Sequence, residues 1–294
     1  MRMSIGIAVL LLTLCPIFGE VTVVSSLPAC LYYIAFQGEG DEKAIFRLEQ
    51  DGVTRTRLSS SDIRVAWPAP SPDGTKIAFI RNYDLYIMDT NGSNVTRITE
   101  TIWDETSPTW SPDSLQIMFD SDQYGNYELF VYDLLDASFT RITDNSFDDY
   151  APAWSPDGIT IAFGSDRDGY SEIHAATLAD IGNPVRLTEN DNVDYGADWS
   201  PDGERLTFYS LRDDNPEPQI YIVNVESGEL IQLTDTEYAN RAPDWSPDGD
   251  LIAYESYRPD GLRINIIDLN TDRVRPLLEN GYSPTWCPLE AESR

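Results

Sequence analysis

The sequence predicts an all-β fold, a six-bladed β-propeller closed by pairing the carboxy-terminal strand with the amino-terminal blade. Three observations predict it. An anchor segment recurs every 40 to 46 residues, as Pro70-Ser-Pro-Asp-Gly74, Trp110-Ser-Pro-Asp-Ser114, Trp154-Ser-Pro-Asp-Gly158, Trp199-Ser-Pro-Asp-Gly203, Trp245-Ser-Pro-Asp-Gly249 and a degraded Trp286-Cys-Pro-Leu-Glu290. A period of this length marks stacked supersecondary units. Seven residues after five of the anchors comes a short apolar strand, Ile77-Ala-Phe79, Ile117-Met-Phe119, Ile161-Ala-Phe163, Leu206-Thr-Phe208 and Ile252-Ala-Tyr254. The two ends of the chain, finally, read as complementary parts of one further unit.

Each unit begins with a first strand that leads into the anchor, and the apolar strand after it is the second. A third, alternating strand follows at Asp84-Leu-Tyr-Ile87, Glu128-Leu-Phe-Val131, Glu172-Ile-His-Ala175, Gln219-Ile-Tyr-Ile222 and Arg263-Ile-Asn-Ile266. The fourth carries Arg97-Ile-Thr99, Arg141-Ile-Thr143, Arg186-Leu-Thr188 and Gln232-Leu-Thr234. Four antiparallel strands per unit make a propeller blade, whose short outer edge limits edge-to-edge association. At the amino end, Ile34-Ala-Phe36, Ala44-Ile-Phe46 and Arg57-Leu-Ser59 match second, third and fourth strands, and the first is missing. Tyr282-Ser-Pro-Thr-Trp286 supplies it, so residues 282–287 are expected beside residues 31–37. That closure brings Cys30 near Cys287 and predicts a disulfide between them. At Pro70 the anchor tryptophan is absent; Trp67 is expected to fill its space, in the least regular blade.

Composition bounds the partners. Fifty acidic against 20 basic side chains give a formal charge of −30, which repels phosphate backbones and excludes nucleic acid. Basic proteins, peptides and divalent cations are attracted instead. The chain starts with a short basic segment and an uncharged, apolar run from Ile5 to Phe18, too short to span a bilayer, which reads as an export signal. The expected organisation is a signal peptide and linker over residues 1–29, the propeller over 30–290 and a tail over 291–294, in an exported, periplasmic or extracellular monomer. Cys15 falls in the signal run. Leu27-Pro28-Ala29-Cys30 partly matches a lipoprotein cleavage box, so acylation of Cys30 as a membrane anchor stands as the alternative to its disulfide.

The repeat resembles the TolB-type, WD-repeat-like β-propeller family, whose signature is Trp-Ser-Pro-Asp-Gly, an Ile-Ala-Phe strand and a Ser-Asp-Arg-Asp-Gly turn. Residues 154–173 fit throughout, with the turn at Ser165-Asp-Arg-Asp-Gly169, and the match extends over about residues 31–289. The resemblance implies a six-bladed extracytoplasmic propeller that works by binding other proteins. TolB carries an additional amino-terminal α/β domain, for which this chain has no room; related propellers precede the hydrolase domains of prolyl oligopeptidase-like enzymes, and no hydrolase follows here.

The Ser-Pro-Asp-Gly segments read as turns: proline presets one dihedral, aspartate accepts from nearby amides and glycine takes positive φ. No nucleophile elbow, phosphate loop or metal-spaced cysteine pair is present, and the one histidine, His174, stands in a strand, so no enzyme activity is expected. No cofactor is expected either. Asp166-Arg-Asp-Gly169 lacks the later ligands of a calcium loop, although calcium bound where several loops converge stays open. In a propeller, the loops before first strands and between second and third strands share one face. That face is expected to gather Asp104, Asp148, Asp149, Asp194, Tyr195, Tyr238, Asn240, Arg241 and Tyr282 around the channel mouth, with Asp122, Asp166, Asp168, Asp213 and Asp214 farther out. Acid mixed with exposed tyrosine suits a basic protein or peptide partner. A calcium or glycan ligand is the second reading, and a hydrolase- or lyase-related activity the third.

Overall fold

The computed structural model describes residues 26–36, 42–60, 64–212 and 215–289. The signal run with Cys15, Asp213, Asp214 and the tail at 291–294 lie outside the described residues. Among the described residues are six four-stranded antiparallel sheets, and each sheet is one blade. The first strands of blades 1 to 6 are Val65–Pro70, Glu105–Trp110, Asp149–Trp154, Asp194–Trp199, Ala239–Trp245 and Gly281–Trp286. They surround a central channel.

All six first strands share one irregularity. Counted over the last six residues of each first strand, the residue at the third position has positive φ, between 47° and 66°: Trp67, Ser107, Ala151, Gly196, Ala242 and Ser283. Strand pairing slips there in every blade, which is a β-bulge. Proline follows in five of the six, at 68, 108, 152, 243 and 284. A bulge leaves a residue out of the ladder, so the missing proline N–H costs no hydrogen bond.

The anchors are turns held by their own side chains. Ser200 Oγ donates to Asp202 Oδ1 at 2.5 Å and accepts from Arg205 N at 3.0 Å, while Glu204 N donates to Asp202 Oδ1 at 3.0 Å. In the equivalent turn the Ser155 hydroxyl is the main group that holds the Asp157 carboxyl below its ordinary range. Each tryptophan packs on the preceding blade: Trp110 joins Ala78, Ile80 and Leu85, Trp245 joins Ile220 and Ile222, and Trp286 joins Ile264 and Ile266. Three indole N–H groups also cross the seam, as from Trp110 to Ala69 O at 2.9 Å. The core therefore lies between blades as much as within them.

The third and fourth strands are tied by an acid, an arginine and a threonine. Glu172 is fully buried and accepts from Arg186 Nη2 at 2.8 Å and from Thr188 Oγ1 at 2.6 Å. Thr188 Oγ1 in turn accepts from Ile173 N at 3.0 Å. Arg97 with Asp84 and Arg141 with Glu128 repeat the pairing. Blade 4 replaces the acid with Gln219 and the arginine with Gln232, and keeps the threonine bond through Thr234. Charge is removed from both partners together, so no buried charge is left alone.

Ring closure occurs in blade 6, where Gly281–Trp286 pairs with Leu31–Phe36. The register differs from the expected one. Trp286 lies opposite Leu31, as Trp110 lies opposite Ile117, so Leu31-Tyr32-Tyr33 takes the Ile-Ala-Phe place and Ile34-Ala-Phe36 follows it. Cys30 and Cys287 form a disulfide with Cα atoms 5.1 Å apart, and Cys287 N donates to Cys30 O at 2.8 Å. A Cys30 sulfur in that bond is not available for acylation. Blade 1 also departs from expectation. It keeps the bulge and register of its neighbours, and Trp67 occupies the bulge position, 41% exposed, instead of the missing tryptophan's place. Among the described residues no helix is long and apolar enough to cross a membrane.

Candidate functional site: the central channel

The channel has a volume of about 720 Å³ and is lined by all six first strands. At the second strand position its wall carries Ala66, Tyr195, Arg241 and Tyr282, and at the fifth position Ala69, Thr109, Ala153, Asp198, Asp244 and Thr285. Tyr209, Glu255 and Tyr257, from second strands, show through between them. Arg241 is the one basic side chain on this wall among the described residues.

Several expected mouth residues prove structural. Asp149 and Asp194 are fully buried: Arg167 and Ser165 donate to Asp149 at 2.8 and 2.6 Å, and Arg212 and Asn190 donate to Asp194. Asn240 is buried and donates to Gln219 Oε1 at 2.9 Å. Asp104 and Asp148 tie loops together, because Asp104 N donates to Asp122 Oδ1 at 3.0 Å and Asp148 Oδ1 accepts from Tyr127 N at 2.8 Å. Tyr238 sits away from the channel beside a smaller cavity, with the Arg258 guanidinium 4.8 Å from its ring. Of the nine, the structure brings Tyr195, Arg241 and Tyr282 together on the channel wall.

The outer acids are also engaged. Asp166 Oδ1 accepts from Asp148 N at 2.9 Å, and Gly169 N donates to Asp166 O at 2.9 Å, which closes a hairpin turn. Asp168 is 2.9 Å from His174 Nε2, and His174 is buried in its blade and does not line the channel. Among the described residues no group of three or more His, Cys, Asp or Glu side chains is placed to hold a metal.

The tyrosines form a continuous surface. Tyr195 lies between Tyr150, with ring centroids 5.0 Å apart, and Tyr209, at 5.5 Å. Burial pushes the hydroxyl pKa of Tyr195, Tyr209 and Tyr282 upward and that of Tyr257 to about 12, so these groups stay neutral donors. Arg241 rests over Tyr257, its guanidinium carbon 5.4 Å from the ring centroid.

Four carboxylates were not anticipated: Asp120, Asp198, Asp244 and Glu255. Each accepts a backbone N–H from the following blade, Asp120 from Ala151 at 3.1 Å, Glu255 from Ser283 at 2.8 Å, Asp198 from Trp245 at 2.8 Å and Asp244 from Trp286 at 2.8 Å. Burial raises the Asp120 pKa to about 6 and the Asp198 pKa to about 7. Asp244 is pushed well above its ordinary range, first by burial and then by the charge of Asp198. The sequence held a signal for two of them: aspartate precedes the anchor tryptophan only in adjacent blades 4 and 5, where other blades have alanine or threonine.

Comparison with known proteins places this ring in a family. A model described as the TolB beta propeller domain matches residues 24–150 and 144–291. No curated protein matches the chain. Among solved structures, TolB from Acinetobacter baumannii is similar with a TM-score of 0.77 at 20% identity, over 91% of this chain and 69% of that one. A putative TolB from Agrobacterium tumefaciens is similar with a TM-score of 0.70 at 21% identity, over 87% and 91% of the two chains. A puromycin-hydrolyzing peptidase from Mycobacterium tuberculosis is similar with a TM-score of 0.60 at 16% identity, over 85% and 45%. At these identities the likeness is one of fold. With the family model matched over nearly all of the propeller, the chain belongs to the TolB β-propeller family.

Proposed function

We propose that this chain is an exported, non-enzymatic propeller that captures a protein or peptide partner at the mouth of its central channel. The observation that carries the reading is the channel wall itself. A cavity of about 720 Å³ is bordered by Tyr195, Tyr257, Tyr282 and carboxylates, with exposed Arg241 at its rim. Tyrosine offers apolar area and a hydroxyl at small entropic cost, which suits recognition of a polypeptide. Asp198, Asp244 and Glu255 favour a cationic partner and disfavour an anionic glycan; calcium is the alternative occupant of the same acidic wall.

The test is capture of partners from the envelope fraction of the native host. Arg241 and the 41%-exposed Tyr257 lie outside the apolar core, and Tyr257 meets the Glu255 carboxylate, so Arg241→Gln with Tyr257→Gln strips the aromatic rim, keeps a polar group beside Glu255 and adds no charge that would itself attract a basic partner. We expect the double variant to lose the specific partner while keeping the wild-type melting temperature. Undiminished capture would reject the channel mouth as the binding site.

A further inference from the structure

Trp67 stands where the five other blades place Ser107, Ala151, Gly196, Ala242 and Ser283. All six residues have positive φ, a conformation that penalises a bulky side chain. Five small residues show that the bulge does not need an indole. Nor does the core receive it, because Trp67 is 41% exposed and lines the channel. An aromatic kept in a disfavoured backbone conformation, outside the core and inside a cavity, points to a ligand.

The opposite wall says what kind of ligand. In a ring of six, blade 1 faces blade 4, and blades 4 and 5 present Asp198 and Asp244 two residues deeper than the bulge. Neither carboxylate has an ion-pair partner among the described residues; Asp198 accepts from the Trp245 and Trp199 backbone N–H groups, and Asp244 from the Trp286 N–H and the Thr285 hydroxyl. An indole face is the strongest aromatic surface for a cation, and a cation arriving beside Asp198 and Asp244 lowers their raised pKa values, so the pair ionises and supplies the countercharge.

We propose that Trp67 is the specificity-determining aromatic of the channel, stacking on a guanidinium or ammonium group of the partner whose charge is met by Asp198 and Asp244. The inference rests on the channel being the partner site and names the chemistry recognised there: a basic side chain on an extended segment.

The experiment titrates the whole propeller with a blocked Gly-Gly-Arg-Gly-Gly peptide and with the same peptide carrying citrulline, which keeps the shape and removes the charge. The indole N–H signals are followed by NMR, and Trp67 is assigned from Trp67→Phe. The arginine peptide is expected to shift the Trp67 signal and to bind about tenfold more tightly than the citrulline peptide. Trp67→Ala should bind it about tenfold more weakly, Trp67→Phe should keep most of the affinity, and Asp198→Asn with Asp244→Asn should abolish the preference for charge. Trp67→Ala should also melt no lower than wild type, since alanine already occupies this position in blades 3 and 5.

Equal affinity for the two peptides, or no binding of either, overturns the cationic ligand. Undiminished binding by Trp67→Ala, or a melting temperature lowered as for loss of a core tryptophan, overturns the role of Trp67. Partner capture by the Arg241 and Tyr257 variant is read separately, so failure of the cation subsite and failure of the channel reading give different results.

Discussion

Replacing Asp198 with asparagine should stabilise the propeller, and only at high pH. Burial lifts the Asp198 pKa from an ordinary 3.8 to about 7, and Asp244 beside it is raised further by the charge of Asp198. Between pH 3.8 and about 7 the folded chain therefore holds a proton that the unfolded chain releases. Stability must fall as pH rises through that window. A displacement of three units corresponds to about 4 kcal/mol, and because the side chain faces the channel we take about half, ~2 kcal/mol, as the effect to expect. Asparagine keeps an oxygen to accept from Trp245 N, whose bond to Asp198 Oδ2 is 2.8 Å, and cannot ionise. The variant and wild type should melt together at about pH 4, and the variant about 4–8 °C higher at about pH 8. Asp120, Glu255 and the channel tyrosines titrate in both proteins and cancel in the difference. Adding Asp244→Asn should gain less than it does alone, because the repulsion between the two carboxylates is already gone. Calorimetry at both pH values is the assay. A difference that does not change with pH, or a variant less stable at pH 8, would refute the account of a strained carboxylate pair.

Two further outcomes follow from the fold. The Cys30–Cys287 disulfide spans 257 residues of sequence, so Cys287→Ser should lower stability by about 5.5 kcal/mol in the chain-entropy picture and shift the denaturant midpoint of oxidised protein; intact mass of wild type before and after reduction would show two thiols appear, whereas a diacylglycerol mass on Cys30 would contradict the pairing. Arg186→Ala leaves Glu172 fully buried with only Thr188 and Asn190 as donors, so it should cost about 3 kcal/mol, and Glu172→Gln in the same chain should recover part of that, as the Gln219 and Gln232 pair does in blade 4.

The architecture was legible in the sequence because the anchors repeat with fixed internal offsets and each serves as its own turn. Blade 6 was harder. Leu31-Tyr32-Tyr33 and Ile34-Ala-Phe36 are both apolar triplets ending in an aromatic, and the interrupted blade provides no offset from an anchor to choose between them. Pairing of Leu31 with Trp286 decides it in space. The candidate site was legible at Tyr195, Arg241 and Tyr282, which follow from strand order and face. Asp149 and Asp194 were misassigned because a residue one position earlier in the strand turns its side chain into the sheet interior, where Arg167 and Arg212 neutralise it. Trp67 was misread for a related reason. Its distance from Pro70 suggested a substitute for the missing anchor, but the bulge at the third position rotates that side chain toward the channel axis.

The shared blade has a consequence for how the chain could be rewired. Residues 30 and 287 lie 5.1 Å apart at Cα, so a peptide of a few residues could join them and the backbone could be cut anew between any two other blades. Such a circular permutant would keep every sheet and every interblade tryptophan, and would move the latch from a pair of sulfurs to an ordinary peptide bond. Assembly of the ring would then no longer depend on an oxidising compartment, and the channel could be presented with its free ends on whichever side of the ring an experiment requires.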